Sequence, residues 1–137
     1  MALVELESGA GRSGVSLCIA AAGKMVTLAV AAFTLSWTHS VEKTRWEEDW
    51  AVTPAGLELV EARVKGSGAG MEPPQDAVLK NGWWVYAPKI PPRREVVLAA
   101  SGATGEGWSL CAEGQCRVIG ATAGEPAVLR ACGNPDQ

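Results

Sequence analysis

Residues 33–64 alternate apolar and polar side chains so regularly that they admit little other than consecutive antiparallel strands. Phe33, Leu35, Trp37, His39 and Val41 share one parity, and four of the five are apolar. Successive side chains of a strand point to opposite faces, so this parity is the buried one. Thr34, Ser36, Thr38, Ser40 and Glu42 make the polar face. Trp46, Glu48, Trp50 and Val52 follow on one parity, against Glu47 and Asp49. The third segment sets Leu57, Leu59, Glu61 and Arg63 against Glu58, Val60, Ala62 and Val64. Apolar residues stand on both of its faces, so alternation alone does not choose a side.

The turns set an expected register. A first connection at Glu42–Arg45 closes on Val41 opposite Trp46. It places His39 opposite Glu48, Trp37 opposite Trp50 and Leu35 opposite Val52, so that inward residues meet inward residues. A second turn at Thr53-Pro54-Ala55-Gly56 has the Pro and Gly positions that type I turns favour. It puts Val52 opposite Leu57, Trp50 opposite Leu59 and Glu48 opposite Glu61, with Arg63 beside Trp46. The expectation is a row of His39, Glu48 and Glu61 across three strands, flanked by Trp46 and Trp50. A slip of one residue in either turn destroys that row.

Carboxylates in an apolar setting are costly unless paired, metal-bound or protonated. Three arrangements satisfy the row. A protonated His39 with Arg63 balances the two acids, a cation sits between them, or one Glu is held neutral as a general acid. A fourth reading is structural, a polar network that does no more than set register.

A chain of 137 residues, 47% of them hydrophobic, is one domain's length and can bury roughly two-thirds of its unfolded surface. Six Trp against one Phe and one Tyr is an unusual aromatic choice, suited to half-buried walls or to the edge of a core. The net charge is −3 and no basic stripe occurs, which excludes nucleic acid as a natural partner. A Rossmann fingerprint, a Walker loop and an HExxH helix are absent, and nothing calls for a cofactor.

Residues 1–14 are acidic and rich in small residues, an arm ahead of a single β domain over 15–137. Val15 to Phe33 is long and apolar enough to suggest a membrane span, but Gly23-Lys24 interrupts it. Two strands, Val15–Ala21 and Met25–Ala31, joined at Ala22-Gly23-Lys24, fit better. Lys65 to Asp76 carries Gly66, Gly68 and Gly70 and two prolines, a loop whose successive N–H groups can form an anion nest. Asn81-Gly82 joins two short strands, Pro88 to Arg94 is an extended link, and Glu95 to Ala100 is another strand. The expected architecture is an all-β antiparallel sandwich or flattened barrel of eight to ten short strands with little or no helix.

With Glu113-Gly114 as a two-residue turn, Cys111 lies opposite Cys116, close enough for a disulfide. Cys18 and Cys132 remain, a second candidate pair tying the first strand to the last; zinc is the rival reading for the four. Paired cysteines point to an oxidising compartment such as the periplasm. The start of the chain lacks the basic residues and apolar run of a signal peptide, which points instead to the cytoplasm.

The run Phe33–Trp50, with THSVEK before WEEDW, then GSGAGMEPP at Gly66–Pro74 and GWSLC…C near the end, resembles the bacterial DUF1850 family. The resemblance spans nearly the whole chain from about Val15. Its characteristic positions fall on His39, Ser40, Val41, Glu48, Gly68 and Gly70. The family carries no assigned activity. The resemblance implies an association with TRAP transporters of the TAXI type.

Three functions follow from these readings. The first is a non-enzymatic binding or accessory module serving a transporter of small organic acids. In it Arg63 and the Gly66–Gly70 loop receive a carboxylate near His39, within walls of Trp. The second is a metal-dependent or acid–base enzyme built on His39, Glu48 and Glu61. The third is a structural interaction domain. Nothing in the sequence selects an oligomeric state.

Overall fold

The computed structural model describes residues 15–38, 44–65, 76–100 and 107–133. The arm over 1–14 lies outside the described residues, as do His39, Ser40, Val41, Gly66, Gly68 and Gly70.

Eleven strands and no helix make up the described chain. They are β1 (Val15–Ala21), β2 (Lys24–Leu28), β3 (Ala32–Thr38), β4 (Arg45–Thr53), β5 (Gly56–Lys65) and β6 (Val78–Lys80), then β7 (Trp83–Tyr86), β8 (Glu95–Leu98), β9 (Trp108–Ala112), β10 (Gln115–Ile119) and β11 (Ala127–Gly133). They form two antiparallel sheets, β2-β1-β11-β8 and β10-β9-β3-β4-β5-β7-β6. The architecture is an open all-β sandwich. The apolar run after Val15 is the β1–β2 hairpin, in which Ala21 pairs with Lys24 across Ala22-Gly23. No helix is long and apolar enough to cross a membrane among the described residues.

Among the described residues four hairpins close on two-residue turns, Ala22-Gly23, Pro54-Ala55, Asn81-Gly82 and Glu113-Gly114. Both residues of the three that contain glycine have positive φ, the conformation whose twist matches that of the flanking strands.

The core lies between the sheets. Leu17 and Ile19 of β1, Leu129 of β11 and Leu98 of β8 face Phe33 and Leu35 of β3, Val52 of β4 and Leu110 of β9. Leu17, Leu57 and Leu129 are fully buried.

The chain crosses between the sheets after β2, β7, β8 and β10. The crossing after β7 runs through the proline-rich link, which stays extended and docks once. Leu57 and Arg93 exchange two backbone hydrogen bonds of 2.8 and 2.7 Å. Gly56 beside this bridge has φ +129°, and a Cβ there would meet the Arg93 carbonyl oxygen at 2.5 Å. Only glycine fits that approach.

Two disulfides clamp the sandwich. Cys111 and Cys116 face each other in the β9–β10 register, with Cα atoms 4.0 Å apart. Cys18 of β1 joins Cys132 of β11 diagonally, with Cα atoms 6.0 Å apart, closing a sequence separation of 114 residues. Both pairs anticipated from the sequence are present, and they suggest an oxidising compartment. Cross-linking residues so far apart constrains the unfolded chain strongly. The double variant C18S/C132S is expected to lose about 3 kcal/mol in urea denaturation. Thiol titration of the denatured, unreduced wild type should find no reactive cysteine; one free thiol per chain or more would contradict the pairing.

Candidate functional site

The register of β3, β4 and β5 decides which side chains share a face, and it departs from the expected one at two places. Thr38 pairs with Arg45 in a register that does not set Val41 opposite Trp46 as expected. Glu48 therefore lies opposite Leu35 rather than His39, and Trp37 pairs with Trp46 rather than Trp50. In the second hairpin Val52 pairs with Leu57 and Trp50 with Leu59, as expected. The register then shifts, and Asp49 pairs with Glu61, Glu48 with Ala62, Glu47 with Arg63 and Trp46 with Val64. One extra residue, Val60, is inserted in β5 and is 53% exposed. A bulge of this kind reverses the side-chain parity beyond it.

The row of His39, Glu48 and Glu61 is thus corrected. Glu61 and Arg63 sit on the outer face, Glu48 on the inner one, and His39 lies outside the described residues. The physical reason is charge. Without the bulge Glu61 and Arg63 would point into the core while Ala62 and Val64 faced water. With it, Ala62 and Val64 are 2% and 1% exposed.

On the outer face Arg63 binds three carboxylates. Its Nε donates to Glu47 Oε1 at 2.8 Å, and its Nη1 donates to Asp49 Oδ2 and Glu61 Oε2, each at 2.9 Å. Asp49 Oδ1 also accepts from the Thr34 hydroxyl at 2.8 Å. The hydrogen bond to Asp49 is the main reason that the guanidinium is held above its already high range; burial opposes this, and Glu47 reinforces it. For Asp49, burial pushes upward, but the Arg63 and Thr34 hydrogen bonds and the Arg63 charge together outweigh it and lower its pKa. Arg63 is therefore committed to the protein's own acids. Neighbouring Arg45 donates to Ser36 Oγ at 3.1 Å.

The inner face holds a different arrangement. Trp108, Trp37 and Trp46 stand side by side on β9, β3 and β4. Trp37 stacks on Trp46 with centroids 6.1 Å apart and tilts against Trp108 at 4.8 Å and 51°. Phe33 stacks on Trp50 at 6.3 Å. Glu48 lies between Trp46 and Trp50 on this aromatic face, opposite the small Ala62.

Glu48, Trp37, Trp50, Leu59 and Trp108 form one wall of a cleft of about 330 Å³. The other wall is Ile90 and Arg93 of the crossing link with Val96 and Leu98 at β8. Glu48 Oε1 accepts a 3.0 Å hydrogen bond from Trp50 Nε1. No cation pairs with it among the described residues. Burial raises the Glu48 pKa, and the Trp50 bond offsets part of the rise. The Tyr86 phenol is raised as well, by burial and then by the charge of Glu48. The Trp108 indole donates to the Ala99 carbonyl at 2.9 Å. The Trp46 indole nitrogen is buried and has no partner among the described residues.

Of the anticipated site residues, Glu48, Trp46 and Trp50 come together on the inner face. Trp37, Tyr86, Trp108 and Arg93 complete their surroundings and were not anticipated as site residues. Trp37 was legible, because it shares the parity of the buried face. Trp108, Tyr86 and Arg93 arrive from strands and a link far along the chain. Among the described residues, no group of three His, Cys, Asp or Glu stands together to hold a metal ion.

Two outcomes follow. At neutral pH, Arg63→Gln strands three acids and is expected to lose about 2 kcal/mol in urea denaturation, a partly exposed network being worth less than a buried one. Asp49 has a lowered folded pKa, so its contribution is present above the ordinary value of 3.8 and is lost as pH falls through the lowered one. The wild-type advantage over Arg63→Gln should therefore narrow in acid; a gap constant from pH 7 to 2.5 would contradict the network. Glu48 has the opposite sign. Its folded pKa is raised, so its contribution is fully present below the ordinary value of 4.5 and is lost as pH rises through the raised one. Relative to Glu48→Gln, wild-type stability should fall across that window and stay lower above it.

The sequence profile of a domain of unknown function, DUF1850, matches residues 33–119. That span begins at the first residue of the β3 core face, takes in Glu48 and the Arg63 network, and ends at the last residue of β10. Neither a curated protein nor a solved structure is significantly similar to the chain. The match covers more than half of the sequence, and the chain belongs to the DUF1850 family.

Proposed function

We propose that this protein is a non-enzymatic binding module whose site is the inter-sheet cleft at Glu48. One observation carries the reading. A half-buried carboxylate stands on an apolar, indole-walled surface with a single indole N–H as its partner among the described residues, where a leucine would stabilise the fold more. A charged group set on an apolar inner face is the informative exception. A largely apolar cleft with a few directed polar groups is the usual form of a small-ligand site.

The geometry favours this cleft over the alternatives. Arg63 gives four of its five N–H donors to three acids of the protein itself, so its charge is already met and it is poorly placed to receive a carboxylate ligand as the sequence suggested. Glu48 and Glu61 lie on opposite faces of the sheet and cannot share a proton or a metal. A second hollow of about 300 Å³ lies between Thr27–Val30 and the β9–β10 hairpin, but its ionisable residues, Glu113 and Arg117, are exposed. In the setting implied by the family resemblance, the module would act beside a TRAP-type transporter of small solutes.

The indole ¹H–¹⁵N resonances test this. Small aromatic solutes at millimolar concentration should shift the indole signals of Trp37, Trp50 and Trp108. The signal of Trp83, whose ring lies 5.1 Å from Lys65 Nζ at the far edge of the larger sheet, should not move. Shifts confined to Trp83, or none at all, would overturn the assignment.

A further inference from the structure

We propose that the Glu48 cleft selects an organic cation, an ammonium group carried on an apolar body. The inference rests on the binding reading above and specifies the charge of what is bound.

Glu48 is half-buried on the inner face of the larger sheet, between Trp46 and Trp50 and opposite Ala62, and it lines the cleft. Its Oε1 holds the Trp50 N–H. No lysine or arginine meets the carboxylate within 4 Å among the described residues. Among the described residues the charge is therefore uncompensated, in a half-buried setting less hydrated than open water, which is a condition under which an incoming cation gains. Arg93 also lines the cleft, but it is exposed at the mouth, where water screens it.

The walls carry the same sign. Indole faces attract cations through their negative quadrupole, and Trp is the strongest of the aromatic residues in this respect. Trp37 and Trp108 pack against each other at 4.8 Å and 51°, and both rings line the cleft with Glu48. A carboxylate backed by indoles favours an ammonium twice over, by charge and by the rings. It disfavours a carboxylate by the same two effects. Leu59, Ile90 and Val96 line the remainder of the cleft and suit an apolar body.

Three probes with one ring and different heads separate the possibilities. Phenethylammonium, 2-phenylethanol and phenylacetate are titrated into the wild-type protein at pH 7 and followed by tryptophan fluorescence and indole shifts. The ammonium is expected to bind at least tenfold more tightly than either of the others. In Glu48→Gln, which keeps an acceptor for Trp50 Nε1, that preference should drop to less than threefold. Equal binding of all three, or tighter binding of phenylacetate, would overturn the cation assignment and leave the cleft as a binding site. Binding of none of the three would overturn both.

Discussion

The extra residue at Val60 is the constraint on which the rest of the structure depends. The first half of β5 offers Leu57 and Leu59 to the core, and the second half offers Ala62 and Val64. These two sets have opposite parity, and no regular strand can bury both. A regular strand would bury Glu61 and Arg63 at a cost of several kcal/mol per ion. A single bulge forfeits local ladder pairing and a little order, and it brings both apolar sets inward. The same shift delivers Glu61 and Arg63 to the outer face, where Glu47 and Asp49 already stand. The acids of β4 and the cation of β5 then satisfy one another, and the network holds the bulged segment in place.

Once the outer face has absorbed these charges, one acid is left inside. Glu48 keeps the inner parity of β4 and cannot leave it without taking Trp46 and Trp50 along. Its surroundings are indoles from three strands, and its one donor among the described residues is an indole N–H. The fold therefore treats its carboxylates in two ways. Three are paired with an arginine, which lowers the pKa of Asp49, while the fourth is raised by burial and meets no cation among the described residues. Only the second condition leaves a charge for something else to meet.

The cleft exists because the two sheets differ in width. Four strands cannot cover seven, and the crossing from β7 to β8 is made by a proline-rich link that cannot continue the ladder. This link is bridged to β5 by backbone hydrogen bonds between Leu57 and Arg93, held close by Gly56. Between that bridge and the end of β7, the inner face of β5 stays open around Leu59. The disulfides secure what lies on either side. One ties the first strand of the smaller sheet to the last, and the other locks the β9–β10 hairpin next to the Trp108 wall.

Local chemistry alone determined much of this protein. Alternation of apolar residues identified the β3–β5 meander, the Asn81-Gly82 and Glu113-Gly114 pairs identified their hairpins, and the facing positions of Cys111 and Cys116 identified a disulfide. These features depend on neighbours within a few residues, so the sequence displays them directly. The inner-face placement of Glu48, Trp46 and Trp50 was legible for the same reason. The partner of Glu48 was not, because register depends on the length of a connection and on a bulge. Neither has a price visible in one strand, only in the packing of three. The mixed parity of β5 was the trace of that bulge, a conflict that only burial against the second sheet resolves. The tertiary structure alone decided that Arg63 faces outward into a web of acids and that Trp108, Arg93 and Tyr86 gather around Glu48. Those contacts join strands far apart in the chain, and they form only when the sheets close on a common core.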